Sequence, residues 1–326
     1  MTGGLGFIGS NLAVRLAAAG SRVTVLDSAV PLCGANRHNL DGSDVRIVEA
    51  DLGDEAAVAP ALEGCDAIFN LAGEISHIRS MQNPARDAAL NAGAQLRFLD
   101  IVARHAPGIP IVYAGTRQIY GVPQYLPVDE EHPVRPIDFN GIHKYAAMGY
   151  HQAWHGLRRV DARILCLTNI YGPRVALNVP GQGFLGHFLR LGLLGRQIEI
   201  FGDGRQLRDP VYVDDAVDAF LRAAAATNPV SPVWNVGGNA ALPLSWIAET
   251  IARVTGAPPP VYRPFPEDRK TIDIGSYTTD SSKIRRDLGW RAAVDFEEGL
   301  RRTVAYFKKD WRHYLPEAAA LSQTIP

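Results

Sequence analysis

Apolar positions along this chain follow two rhythms. Short, nearly continuous apolar runs occur at 22–27, 45–50, 67–71, 110–114 and 161–167. Runs of this length without alternation predict strands covered on both faces. Between them, apolar residues recur every three or four positions over 10–19, 55–62, 84–104 and 141–157, which predicts helices. Strand and helix in alternation predict a parallel sheet with right-handed crossovers. After about residue 172 Pro and Gly punctuate the chain and helices crowd together, at 183–194, 214–226, 243–255, 281–288 and 296–308. Short strands are expected among them at 197–200 and 233–236. The pattern therefore predicts an α/β chain in three parts. Residues 1–172 form a doubly wound parallel sheet, 173–315 a smaller mixed α/β lobe interleaved with it, and 316–326 a loose tail.

Composition narrows the function. The 326 residues are 47% hydrophobic, enough for a large core, and the formal net charge is −1 with no basic block. Nucleic acid is a poor partner for such a surface. No apolar run approaches the ~20 residues that span a bilayer, and no charged-then-apolar leader opens the chain. Cys33, Cys65 and Cys166 form no CxxC pair and read as reduced thiols, so a cytoplasmic location is expected. The nine histidines form no ligand cluster, so no metal is expected. Of 33 basic side chains only Lys144, Lys270, Lys283, Lys308 and Lys309 are lysines. A lone lysine in an arginine-rich chain marks a place where a compact ammonium is needed.

The opening, Thr2-Gly3-Gly4-Leu5-Gly6-Phe7-Ile8-Gly9, carries the first chemistry. Gly4, Gly6 and Gly9 satisfy GxGxxG, and Gly3, Gly6 and Gly9 satisfy GxxGxxG. Such a loop lets backbone amides of Phe7 and Ile8 approach a pyrophosphate at a helix N-terminus. The strand after the first helix ends in Asp27, which can accept both ribose hydroxyls and repels a 2′-phosphate, favouring NAD over NADP. Asp51-Leu52 and Leu71-Ala72, at the next two strand ends, are expected beside the adenine and the pyrophosphate. Only Met1 and Thr2 precede the loop, so the strand that should lead into it is expected to be absent or trimmed.

Together with four later segments, these residues resemble the extended short-chain dehydrogenase/reductase family, in particular NAD-dependent epimerases and dehydratases of nucleotide sugars. The segments are Thr116-Arg117-Gln118-Ile119-Tyr120-Gly121, Asn169-Ile170-Tyr171-Gly172-Pro173-Arg174, Gly202–Asp215 with its Gly-Asp-Gly and Val-Asp-Asp, and Leu288-Gly289-Trp290 followed by Phe296–Leu300. The resemblance implies a Rossmann fold, NAD as cofactor, a UDP-, dTDP- or GDP-linked sugar as substrate, and a homodimer built on helices 84–104 and 141–157. It implies that Asn169, Arg208 and Arg269 face the substrate diphosphate, for which the planar guanidinium fork is suited.

The resemblance also implies a Tyr-x-x-x-Lys pair on one helix face. Lys144 fits, but Asn140 stands where the tyrosine belongs. An amide cannot shuttle a proton. Thr116 is implied to orient the sugar hydroxyl. Candidates for the missing base are His143, three residues from Asn140, then His77 and Glu74, expected near the nicotinamide, and a water held by Asn140 and Thr116. Tyr145 follows Lys144 by one residue and points about 100° round the helix. The family's 4,6-dehydratases carry acids after the Thr; Arg117 and Gln118 stand there instead, which favours oxidation–reduction at a sugar carbon over elimination. Arg117 is either a structural ion pair or a contact to an acidic sugar. The reading is a sugar-nucleotide epimerase or related oxidoreductase. Its competitors are an idle NAD or nucleotide-sugar binding protein and a 4,6-dehydratase.

Overall fold

The computed structural model describes residues 1–179, 183–227, 229, 232–266 and 273–315. Its strands are β1 (Val23–Asp27), β2 (Val45–Glu49), β3 (Ile68–Asn70), β4 (Pro110–Thr116), β5 (Asp161–Leu167), β6 (Ile170–Tyr171), β7 (Glu199–Phe201), β8 (Leu207–Arg208), β9 (Val211–Tyr212), β10 (Val233–Val236), β11 (Leu242–Pro243) and β12 (Val261–Arg263). The principal helices are α1 (Phe7–Ala18), α2 (Glu55–Leu62), α3 (His77–Gln82), α4 (Pro84–Ala88), α5 (Ala94–His105), α6 (Phe139–Gly156), α7 (Gly183–Leu193), α8 (Val213–Ala225) and α9 (Leu244–Thr255), followed by helices Ser282–Leu288 and Phe296–Asp310.

The main sheet is parallel throughout. β10, β5, β4 and β3 pair in that order, and β1 pairs with β2. Thr2 joins the two groups through parallel bridges to Leu26 and Asn70. Its amide donates to Phe69 O at 2.9 Å, and the amide of Leu71 donates to Thr2 O at 3.2 Å. The strand expected ahead of the glycine loop is thus represented by this bridge. α1, α8 and the helix Ser282–Leu288 cover one face, burying Leu12, Phe220, Trp234 and Ile284 against Val112 and Leu165. α2 and α5 cover the other, with Val58, Phe98, Leu99 and Val102 against Ile68, Ile111 and Ala162. Burial on both faces is why these strands are apolar without alternation.

The second lobe has its own core of Phe188, Ile200, Ile247, Ile251, Leu300 and Phe307. The chain does not divide cleanly at residue 172, because α8 and β10 return to the main sheet. The helix expected over 84–104 is interrupted. A π turn at Ala89–Gly93 separates α4 from α5, and such turns arise where one extra residue is accommodated.

A buried polar network fixes the end of β3. Asn70 Oδ1 accepts from Thr2 Oγ1 at 2.7 Å, while its Nδ2 donates to Gln95 Oε1 at 2.7 Å and meets His151 Nε2 at 3.1 Å. Gln95 passes the chain on to Ala72 O at 2.9 Å. Burial pushes the His151 imidazole down to about 4, so the ring is neutral and can accept. Asn70→Ala strands three buried partners, and each buried group left unpaired costs on the order of 1–3 kcal/mol. Urea unfolding should show a loss of at least about 2 kcal/mol; an unchanged midpoint would mean that water replaces the amide.

Candidate functional site

One cleft of about 460 Å³ opens at the carboxyl ends of the central strands, where doubly wound sheets bind ligands. Gly3, Gly6, Phe7, Ile8, Gly9, Asp27, Asp51, Leu52, Leu71 and Ala72 line one part of it. Thr116, Arg117, Gln118, Asn140, Lys144, His77, Asn169 and Arg208 line the rest. Of the residues expected at the site, His143 is not on the lining, and Arg269 lies outside the described residues.

The glycines serve different ends. A Cβ on Gly9 would lie 2.3 Å from Gly3 O, so helix α1 can pack onto its loop only with glycine there. Gly3 has φ +66° and sits 2.7 Å, measured from an ideal Cβ, from the amide of Ala72. No side chain caps the N-terminus of α1, so its first amides face the cleft unsatisfied, as a pyrophosphate site requires. Asp27 accepts from the amides of Leu5 at 3.0 Å and Ala29 at 2.9 Å, which aims its carboxylate along the cleft. Burial raises its pKa, and those amides partly oppose the rise. These residues fit NAD: open amides for the pyrophosphate and a carboxylate for the ribose diol.

Helix α6 carries Asn140 and Lys144 one turn apart, both buried. The Lys144 ammonium lies beside Gly73, where an ideal Cβ would come within 2.6 Å of Nζ. Burial lowers its pKa to about 8, against the opposing pull of Asp87 and Glu74. The π turn places Asn91 beneath the same spot, its Oδ1 taking the amide of Glu74 at 3.0 Å.

Three expected roles are corrected by this geometry. Asn140 spends its amide hydrogens inward, on Glu74 O at 3.0 Å and Asp87 Oδ2 at 3.1 Å, so it braces the site rather than presenting an amide to a ligand. His143 is not on the cleft lining, its Nδ1 pairing with Asp87 Oδ1 at 2.8 Å, and a base must reach the ligand, so this position removes it. Glu74 is saturated by Arg79 at 2.8 Å, Arg86 at 3.3 Å and the amides of Ile75 and Ser76. Burial pushes its pKa up, but these donors outweigh burial and hold the carboxyl below the usual range, so it too is no base. Tyr145 is exposed, and Tyr120 OH is committed to Asn235 at 2.8 Å.

His77 is placed differently. It begins α3 and lines the cleft. Its Nδ1–H donates to Asp138 Oδ2, and its Nε2 meets the side-chain amide of Gln118. Asp138 is also the N-cap of α6, accepting from the amide of Gly141 at 2.7 Å. Burial would raise the Asp138 carboxyl; the hydrogen bond and charge of His77, with help from Gly141 and Arg117, bring it below its ordinary value. An ionised Asp on Nδ1 leaves the lone pair on Nε2, where the Gln118 amide meets it. Sequence reasoning missed Asp138 altogether. The available signal was an acid immediately before a helix that carries the expected catalytic positions.

At the sugar end, the Arg117 guanidinium lies 4.8 Å over the ring of Tyr277. Among the described residues it forms no ion pair, which was one expectation for it. Arg208 donates to the carbonyls of Leu207 at 2.7 Å and Gly275 at 2.6 Å, while its Nε and Asn169 Oδ1 are buried without partners. Among the described residues, no group of His, Cys, Asp and Glu could hold a metal, and no helix is long and apolar enough to cross a membrane.

A parallel sheet with a glycine loop, a strand-end acid and a buried helix lysine in one cleft defines a dinucleotide-dependent enzyme. The chain belongs to the NAD dependent epimerase/dehydratase family, whose model matches residues 1–237. It is 33% identical to a UDP-glucose 4-epimerase of Mycolicibacterium smegmatis, over 94% of this chain and 97% of that protein. Among solved structures it resembles the UDP-glucose 4-epimerase of Thermotoga maritima with UDP-glucose, at 30% identity and a TM-score of 0.85, covering 95% of this chain and 98% of that one. It equally resembles the dTDP-glucose 4,6-dehydratase of Streptomyces venezuelae with NAD bound, at 27% identity and a TM-score of 0.85, covering 97% and 98%. NAD is the family's cofactor and the one that the cleft fits.

The lowered Lys144 value can be read directly. The ammonium is charged below about 8 and neutral above it, whereas an ordinary lysine stays charged to 10.5. Carbon-13 methylation of the NAD-free protein followed by NMR titration should resolve one early resonance, absent in Lys144→Ala. A spectrum in which every lysine titrates near 10.5 would contradict the burial of this ammonium.

Proposed function

We propose that the protein is a sugar-nucleotide epimerase that works by transient oxidation of a sugar carbon, with His77 as the base in place of the family's tyrosine. The observation that supports this reading is the Asp138–His77 pair on the cleft lining, with Nε2 against the side-chain amide of Gln118, two residues past Thr116. Thr116 Oγ1 accepts the amide of Gln118 at 3.3 Å, leaving its hydroxyl hydrogen available to a sugar oxygen. A sugar hydroxyl that displaces the Gln118 amide from Nε2 gives its proton to His77 and takes it back when the carbon is reduced. Asp138 stabilises the imidazolium in between. NAD, when bound, supplies the chemistry of accepting a hydride from that carbon and returning it. Lys144, buried beside Gly73, fits the role of holding the nicotinamide ribose.

Elimination of water, as in the 4,6-dehydratases, is less well supported. The carboxylates lining the cleft, among the described residues, are Asp27, Asp51 and Glu74. The first two sit at the adenosine end and the third is locked by arginines, so no acid stands ready to protonate a leaving hydroxyl. The substrate falls among UDP-, dTDP- or GDP-linked sugars, with Asn169 and Arg208 toward the diphosphate. A homodimer through α5 and α6 is supported by exposed Leu96, Ile142 and Tyr145 on those helices.

The test is turnover of UDP-, dTDP- and GDP-sugars in the presence of NAD, with products resolved by NMR. His77→Gln should lower kcat by about 10²–10⁴-fold, the usual worth of a general base, while NAD binding followed by fluorescence is retained. Wild-type rates in His77→Gln would dismiss this base. The absence of any epimer from the native protein would dismiss the epimerase reading.

A further inference from the structure

Arg117 is a cation without a matching anion. It lines the cleft directly after Thr116, and its guanidinium carbon lies 4.8 Å from the centre of the fully buried ring of Tyr277. Among the described residues its nitrogens have no hydrogen bond or ion pair. The carboxylates nearest in charge are committed elsewhere. Asp209 holds Thr168 Oγ1 at 2.8 Å and the amide of Thr279 at 2.8 Å. Asp138 holds His77 and the amide of Gly141. Burial disfavours the Arg117 charge, and these acids offset that only in part.

A second cation makes the imbalance sharper. Arg208 lines the same end, and its pKa is lowered to about 10, first by burial and then by repulsion from Arg117. Asp209, Asp138 and Asp273 offset these two cations only in part, so an anionic ligand at this end would relieve their mutual repulsion. One diphosphate on Arg208 and Asn169 answers the first. Arg117 sits beside Thr116, where the reacting part of the sugar lies on the reading proposed above, and so its anion belongs to the sugar. A planar fork held on an aromatic ring is shaped for a carboxylate, bound through two parallel hydrogen bonds.

We propose that Arg117 receives a carboxylate carried by the sugar, so that the preferred substrates are nucleoside diphosphate hexuronates. The proposal rests on the sugar-nucleotide reading but not on turnover, and the test uses binding. The NAD-loaded protein is titrated calorimetrically with UDP, UDP-glucose and UDP-glucuronate, and with GDP, GDP-mannose and GDP-mannuronate. In at least one series the uronate should bind about 10- to 100-fold more tightly than the neutral sugar, the worth of a charge-assisted bidentate pair. Arg117→Gln should bring that ratio close to one, and Arg117→Lys should restore only part of it. Equal affinity for uronate and neutral sugar in both series would overturn the proposal. So would a parallel loss of UDP or GDP binding in Arg117→Gln, which would place Arg117 on the diphosphate. A uronate preference without any epimer formed would leave Arg117 assigned and remove the epimerase reading alone.

Discussion

One buried carboxylate, Asp138, ties the two working sides of the cleft together. One oxygen caps α6 and sets where that helix begins, and with it the reach of Lys144 and Asn140. The other oxygen fixes the ring of His77, which arrives on a different helix from 61 residues earlier. Neither role is costly alone, since N-caps and Asp–His pairs are common. Their union means that the position of the lysine and the tautomer of the histidine cannot be varied separately.

Asn140 shows how the walls of the site are tied together. Its amide bridges Glu74 O and Asp87, and Asp87 in turn holds His143. This face of α6 is thus an internal tie. Glu74, neutralised by Arg79 and Arg86, belongs to the same tie. At that end of the cleft the lining side chains Lys144, Arg117, Arg208, Thr116 and Gln118 are cationic or neutral. That balance suits an anionic ligand.

Much of this was legible beforehand. The alternation of apolar runs and periodic stretches located the sheet and its helices, because parallel strands buried on both faces have a distinctive composition. Glycine crowding at Gly3 and Gly9 and the scarcity of lysine around Lys144 pointed to the cleft directly. Other features left no local pattern. The pairing of His77 with Asp138 depends on the starts of two helices meeting in space. The direction of His143 could not be set by spacing, since Asp87 on a neighbouring helix captures it. The break in the helix over 84–104 was hidden because a π turn keeps helical composition while changing its register.

That break sets the phase of everything before it. Each residue advances a helix by about 100°, so the additional residue held in Ala89–Gly93 rotates α4 relative to α5 by roughly that angle. With the rotation, Asp87 faces Asn140 and His143, and Asn91 tucks under Gly73 and Lys144. Without it, the same side chains would point to different neighbours while every hydrophobic contact of α5 stayed in place. The length of this segment is therefore as much a determinant of the site as its composition. A single deletion within it would act as a rotation of one wall, a change that no comparison of residue types alone would register.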